Sequence, residues 1–140
     1  MKVDVYLFFE GCCDEAVAYY QEVLGAEVEM LMRFNESPEP LPPDAVPPGS
    51  EDKVMHCSFR IGETMIMASD GCAGGEGQFR GFSLSLTAAD EAGANRYFEA
   101  LAADGTITMP IGPTFWSPRF GMVTDKFGVH WMVTVPEPAA

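Results

Sequence analysis

Residues 19–30, YYQEVLGAEVEM, are echoed by residues 97–109, YFEALAADGTITM, and the echo decides how the chain is divided. Each stretch reads as the end of an amphipathic helix, a glycine that closes the last turn (Gly25, Gly105), and the start of a strand. Into the first copy, Ala16, Val17, Tyr20, Val23 and Leu24 recur at helical spacing behind Asp14, which is expected to cap the helix. Upstream of the second, TAAD (87–90) opens a helix with a Thr-x-x-Asp cap whose buried stripe is Ala94, Tyr97, Phe98 and Leu101.

A strand precedes each helix. VDVYLFF (3–9) and GFSLSLT (81–87) carry the β-branched and aromatic residues that fit a pleated surface. AEVEMLMRF (26–34), which starts with strict alternation, and TITMPI (106–111) follow the helices. Two hairpins then close the halves. VMHCSFRI (54–61) and TMIMASD (64–70) flank a Gly62-Glu63 turn, while RFGMVTD (119–125) and VHWMVTV (129–135) flank Lys126, Phe127 and Gly128. The order strand, helix, three strands therefore occurs twice, and each half needs cover for its sheet.

Between the second and third strands of the first half, residues 35–52 hold six prolines and five acids with no base. That composition denies the backbone both helix and ladder, so the segment reads as a solvated loop, with a lid or dimer-spanning arm as the functional alternative. GCAGGEG (71–77) follows a strand but leads into another strand and carries no lysine. It reads as a linker, not a phosphate-binding turn. No glycine-rich strand-to-helix turn for a nucleoside cofactor is present, so the sequence offers no support for methyl transfer.

The chain has 140 residues, 47% of them hydrophobic, enough for one domain. Eight basic against 21 acidic residues give a net charge of -13, which repels nucleic acid and anionic lipid. No apolar run approaches the length of a membrane span and no secretory signal is evident, so the cytoplasm is the expected location. Four cysteines, Cys12, Cys13, Cys57 and Cys72, form no CxxC pair and are expected to be reduced and mostly buried.

YLFFEGCCDEAVAYYQEVLGAEV, VMHCSFRIGETMIMASD and FWSPRFGMVTDKFGVHWMV together resemble the PhnB-like group of the vicinal oxygen chelate superfamily, which includes glyoxalase, bleomycin-resistance and extradiol dioxygenase proteins. The resemblance implies an α+β fold of two βαβββ modules forming a cupped mixed sheet, with helices on the convex face and a cavity inside, commonly as a homodimer. It sets module 1 at residues 1–70, a linker at 71–79 and module 2 at 80–136, within one glyoxalase-like domain of 1–140. Metal-using members place ligands on the first and last strands of each module. By that alignment the last-strand positions are Met132 and Ile66, and the first-strand candidates are Val5 or Tyr6, and Gly81, Ser83 or Ser85. None is a histidine or glutamate, so the expectation is a retained pocket without a catalytic metal. A divalent-metal isomerase, lyase or dioxygenase is the alternative, with Asp70 or Asp125 helping the two histidines.

Strand alternation sets Met55, Cys57, Phe59, Ile61, Trp131, Val133 and Val135 toward the helices and His56, Ser58, Arg60, His130, Met132 and Thr134 away from them. His56 is the candidate acid–base residue, because imidazole titrates near neutrality. Arg60 is a candidate anion clamp, or else a surface residue paired with an acid. Phe115, Trp116, Phe120, Met122, His130 and Met132 are the candidate lining for a small, flat, largely apolar ligand.

Overall fold

The computed structural model describes residues 1–75 and 77–137; Glu76, part of the expected linker, and residues 138–140 lie outside them. The chain divides into two units, Met1–Gln78 and Phe79–Ala140. In the first, β1 (Val5–Phe8) leads into α1 (Cys13–Leu24), then β2 (Glu27–Arg33), β3 (Val54–Ile61) and β4 (Thr64–Ser69). In the second, β5 (Leu84–Thr87), α2 (Glu91–Ala102), β6 (Thr106–Gly112), β7 (Phe120–Thr124) and β8 (His130–Thr134) repeat the order. The class is α+β. Each unit holds one four-stranded sheet, ordered β1-β4-β3-β2 and β5-β8-β7-β6, whose first and last strands run parallel while the other neighbours are antiparallel.

The first helix ends at Gly25 as expected, whereas the second ends at Ala102 with Ala103, not Gly105, as its extended C-cap, and both are held by contacts the sequence hides. In α1 the buried residues Cys13, Ala16, Val17, Tyr19 and Tyr20 face a sheet surface that carries Leu7, Cys57, Phe59, Ile66 and Ala68. Tyr20 stacks on Phe59 at 6.1 Å between centroids. Gly25 ends the helix in the left-handed region (φ 68°), where a Cβ would be strained, and its N–H bonds to the Tyr20 carbonyl.

The helix starts differ from expectation. Cys12, not Asp14, occupies the α1 N-cap and its side chain makes no cap bond. The carboxylate of Asp70, from the end of β4, takes that role: Oδ1 accepts from the Gly11 and Cys13 amides at 2.9 and 2.8 Å, and Oδ2 from the Val54 amide at 2.8 Å. Asp14 is thereby released to receive the Arg33 guanidinium on both oxygens at 2.7 and 3.0 Å. In the second unit Thr87 is the last residue of β5, and Asp90 is the N-cap, accepting from Gly93 at 2.7 Å. Tyr97 is half-buried, with the Arg96 guanidinium 5.0 Å from its ring centroid, so the buried stripe of α2 is Ala94, Phe98 and Leu101.

Strand bounds are shorter than the sequence implies for β1 and β5, and the alternation of β2 is broken by an irregularity between Val28 and Met30. A 3-10 turn, Phe34–Glu36, precedes the proline-rich loop, whose neck is tied by Phe34 N–H to the Lys53 carbonyl and Asn35 N–H to the Glu51 carbonyl. The Gly62-Glu63 turn joins paired Ile61 and Thr64 as a two-residue loop, with Gly62 at φ 57°.

Candidate functional site

The helix-covered faces are spent on core packing, which leaves the opposite face of each sheet for chemistry. In the first sheet that face presents Tyr6 and Phe8 from β1, Met67 from β4, His56, Ser58 and Arg60 from β3, and Met30 and Met32 from β2, as their pairings dictate. Its polar centre is a pair distant in sequence: Tyr6 Oη lies 2.8 Å from His56 Nδ1. The rings of Tyr6 and Phe8 are 4.9 Å apart, and Phe8 is 50% exposed.

The Gly71 amide donates to the neighbouring Ser69 Oγ at 2.9 Å. Burial holds the Tyr6 hydroxyl above its ordinary value of 10.0, so it keeps a proton it can donate to His56 Nδ1. With Nδ1 engaged by Tyr6, Nε2 of His56 has no hydrogen-bond partner among the described residues.

Arg60, the candidate anion clamp, is forked between Glu27 and Glu29 across the strand pair. Its charge is compensated within the sheet, as expected of a surface residue paired with an acid.

In the second sheet the far face carries Ser85 and Thr87 of β5, His130, Met132 and Thr134 of β8, Phe120, Met122 and Thr124 of β7, and Met109 of β6. Thr124 Oγ1 holds His130 Nδ1 at 2.7 Å. Trp116 packs edge-on against Phe120 at 5.2 Å, and Phe115 against Trp116 at 4.7 Å. Phe115 is 89% exposed and Trp116 45%. Their loop is held by the Ser117 amide to Thr114 Oγ1 at 3.0 Å, by the Thr114 amide to the Ser117 carbonyl at 2.8 Å, and by the buried Ser117 hydroxyl, 2.7 Å from the Val135 carbonyl.

The register corrects the metal-position alignment. Met132 pairs with Ser85 on the first strand and Met122 on the other side, and the residue with that surrounding in the first sheet is Met67, beside Tyr6 and Ser58. Ile66, the residue expected there, is buried on the helix face. The corresponding positions are Tyr6 and Met67 in the first sheet and Ser85 and Met132 in the second. Neither a phenol with a thioether nor a hydroxyl with a thioether fits a divalent ion that wants imidazole and carboxylate. Asp70 and Asp125 are committed elsewhere: Asp125 accepts from Phe127 and Val129 amides on Oδ1 and from Trp131 Nε1 on Oδ2. Among the described residues no three His, Cys, Asp or Glu side chains gather to hold a metal.

A strand, helix and three strands, repeated, with first and last strands parallel, is the βαβββ module of the glyoxalase/bleomycin resistance fold. A glyoxylase/bleomycin resistance protein/dioxygenase domain from Frankia sp. EAN1pec matches it with a TM-score of 0.70 over 100% of this chain and 94% of that one, at 15% identity, a likeness of fold alone. The chain belongs to the PhnB-like family, whose family model, described as 3-demethylubiquinone-9 3-methyltransferase, matches residues 1–134. It is 40% identical over 140 residues to Protein YjdN of Escherichia coli (strain K12), covering 96% of this chain and 95% of that protein. Among solved structures, protein PA1353 from Pseudomonas aeruginosa is similar at TM-score 0.83 and 41% identity, over 97% of this chain and 98% of the other. A PhnB protein from Bacillus cereus is similar at 0.79 and 30%, over 96% and 99%.

No helix of the described residues is long and apolar enough to cross a membrane.

Proposed function

We propose that this chain binds a small, flat, largely apolar molecule bearing a hydrogen-bond acceptor, without a catalytic metal, and that His56 is the group that engages it. The observation that carries the reading is the 2.8 Å bond between Tyr6 and His56 on a sheet face that also carries Phe8, Met30, Met32 and Met67, beside Ser58 and Arg60. An imidazole pinned at Nδ1 presents Nε2–H in one direction, which suits a carbonyl or phenolate oxygen, while rings and thioethers suit an aromatic body. Sequestration needs no more than this. Acid–base turnover would use the same His56 proton. Assembly as a homodimer and a cytoplasmic setting belong to the same proposal.

Methyl transfer, named in the family's description, is the less supported reading. The connection from β1 to α1 spends its Gly11 and Cys13 amides on Asp70, and the start of α2 is capped by Asp90, so both helix N-termini already hold internal carboxylates.

A thermal-shift screen against quinones, aromatic acids and antibiotics tests the proposal, because a ligand selective for the folded state raises Tm. The strongest hit is expected to bind three- to tenfold more weakly to Tyr6→Phe and His56→Ala, on the basis of about 1 kcal/mol for a hydrogen bond. Unchanged affinity in both variants would remove His56 from the site. Near-stoichiometric zinc, manganese, nickel or iron in chelator-free protein, needed for activity, would favour the metalloenzyme instead.

A further inference from the structure

The positions that reject a hard divalent ion are not neutral toward every ion. We propose that the far face of the second sheet is a binding site for a soft monovalent cation of the Cu(I) or Ag(I) type, held by the thioethers of Met109, Met122 and Met132 with His130 Nε2 as the nitrogen donor. Met132 lies directly opposite Met122, and Met122 pairs with Met109, which sits between two irregularities in the β6 register, on three adjacent strands. Strands sit about 4.8 Å apart, and directly opposed residues share a face. An unbranched side chain with three rotatable bonds bridges that spacing easily, so the three sulfurs can converge above the central strand.

His130 stands two residues before Met132 on β8, hence on the same face, and Thr124 ties its Nδ1 at 2.7 Å. That leaves Nε2 as the lone pair for an ion once the threonine accepts from Nδ1–H. Thioether and imidazole together are the donor set that soft Cu(I) selects. A net charge of -13 raises the local concentration of any cation.

The first sheet supplies an internal contrast. The matching row across it reads Tyr6, Met67, Ser58, Met30, so a serine interrupts the thioethers. The two sheets therefore present different donor rows. Thioethers do not titrate, so most of the donor set survives acidification that would empty a carboxylate site.

The test uses the full chain with Cys12→Ser and Cys72→Ser, which removes the half-buried and the exposed thiol that would compete for the ion. Methionine methyls are labelled with carbon-13 and Ag(I) is added as a redox-silent probe. One equivalent is expected to shift the methyl signals of Met109, Met122 and Met132, leave those of Met30, Met32, Met65 and Met67 in place, and raise Tm. Met122→Leu and Met132→Leu, which keep volume and lose sulfur, are expected to weaken Ag(I) at least tenfold, and binding to the parent is expected to persist at pH 5. Shifts confined to the first-sheet methionines, no methyl shift at one equivalent, or undiminished affinity in both leucine variants would overturn the site. Ligand binding that depends on Tyr6 and His56 would be untouched by any of these outcomes.

Discussion

Asp70 does more for the fold than its place after an ordinary strand would imply. It is fully buried, and its carboxylate accepts from three backbone amides belonging to the β1–α1 connection and the start of β3. Asp70→Ala leaves those donors with no partner, and each orphaned buried group costs about 1–3 kcal/mol before relaxation. We expect a loss of about 3 kcal/mol in urea denaturation, a large part of a typical stability of about 5–15 kcal/mol. Asp70→Asn keeps an acceptor oxygen and should lose less. Equal, negligible losses for both would show that water replaces the carboxylate. From sequence, Asp70 was legible as an acid near a strand end and a candidate metal carboxylate, not as a cap, because the amides it serves lie up to 59 residues away.

At the scale of elements, the seat of α2 on its sheet turns on Gly121. This residue pairs with Val133 on the helix-covered face of β7, and a Cβ built there would lie 2.6 Å from the Phe98 ring and 3.0 Å from Ile111 Cα. The glycine is needed for space: its φ is not in the left-handed region, so the cost of a side chain is one of packing. Overpacking of this kind costs about 1–3 kcal/mol. Gly121→Ala is expected to lower the denaturation midpoint accordingly, and combining it with Phe98→Leu should restore part of the loss, since the two positions touch. Strict additivity in that double-mutant cycle would mean that the ring is not what excludes the methyl. The helix itself was readable from its 3.6-residue period. Its cap was not: Thr87 and Asp90 both fit a capping pattern, and only the end of β5 at Thr87 leaves Asp90 as the residue with free extended backbone.

For the whole molecule, the buried thiols set an alkaline limit on stability. Cys13 and Cys57 are both fully buried, with sulfurs 3.8 Å apart. The hydrogen bond to Cys57, then burial, raises the Cys13 thiol above its ordinary 9.0, while the same bond lowers Cys57. The retained proton dominates, since losing it would place two thiolates side by side in the core. A group whose folded value is raised contributes fully below its unfolded value and loses that contribution as pH climbs, so unfolding free energy should fall above about pH 9, by up to about 1.4 kcal/mol per pH unit. Denaturation at pH 8, 9.5 and 10.5 should show a shallower decline for Cys13→Ala than for the parent; parallel declines would assign the effect to other groups.

By itself the sequence determined the two-fold strand–helix–three-strand order, and it determined which residues of β3 and β8 turn away from the helices, because the 3.6- and 2-residue periods are local properties of the chain. Cys57, Phe59, Trp131, Val133 and Val135 are buried as that period requires, while Met55 and Ile61, toward the ends of β3, are only half-buried. Only the tertiary structure decided which side chains meet: Tyr6 with His56 across 50 residues, Asp70 with the start of α1, and Met109, Met122 and Met132 in one row. Pairing between distant strands is a choice of register, and a slip of one residue exchanges Ile66 for Met67, core for site. Nothing in the immediate neighbours of either residue encodes that choice; it is settled by which face of the assembled sheet must be covered by the helix.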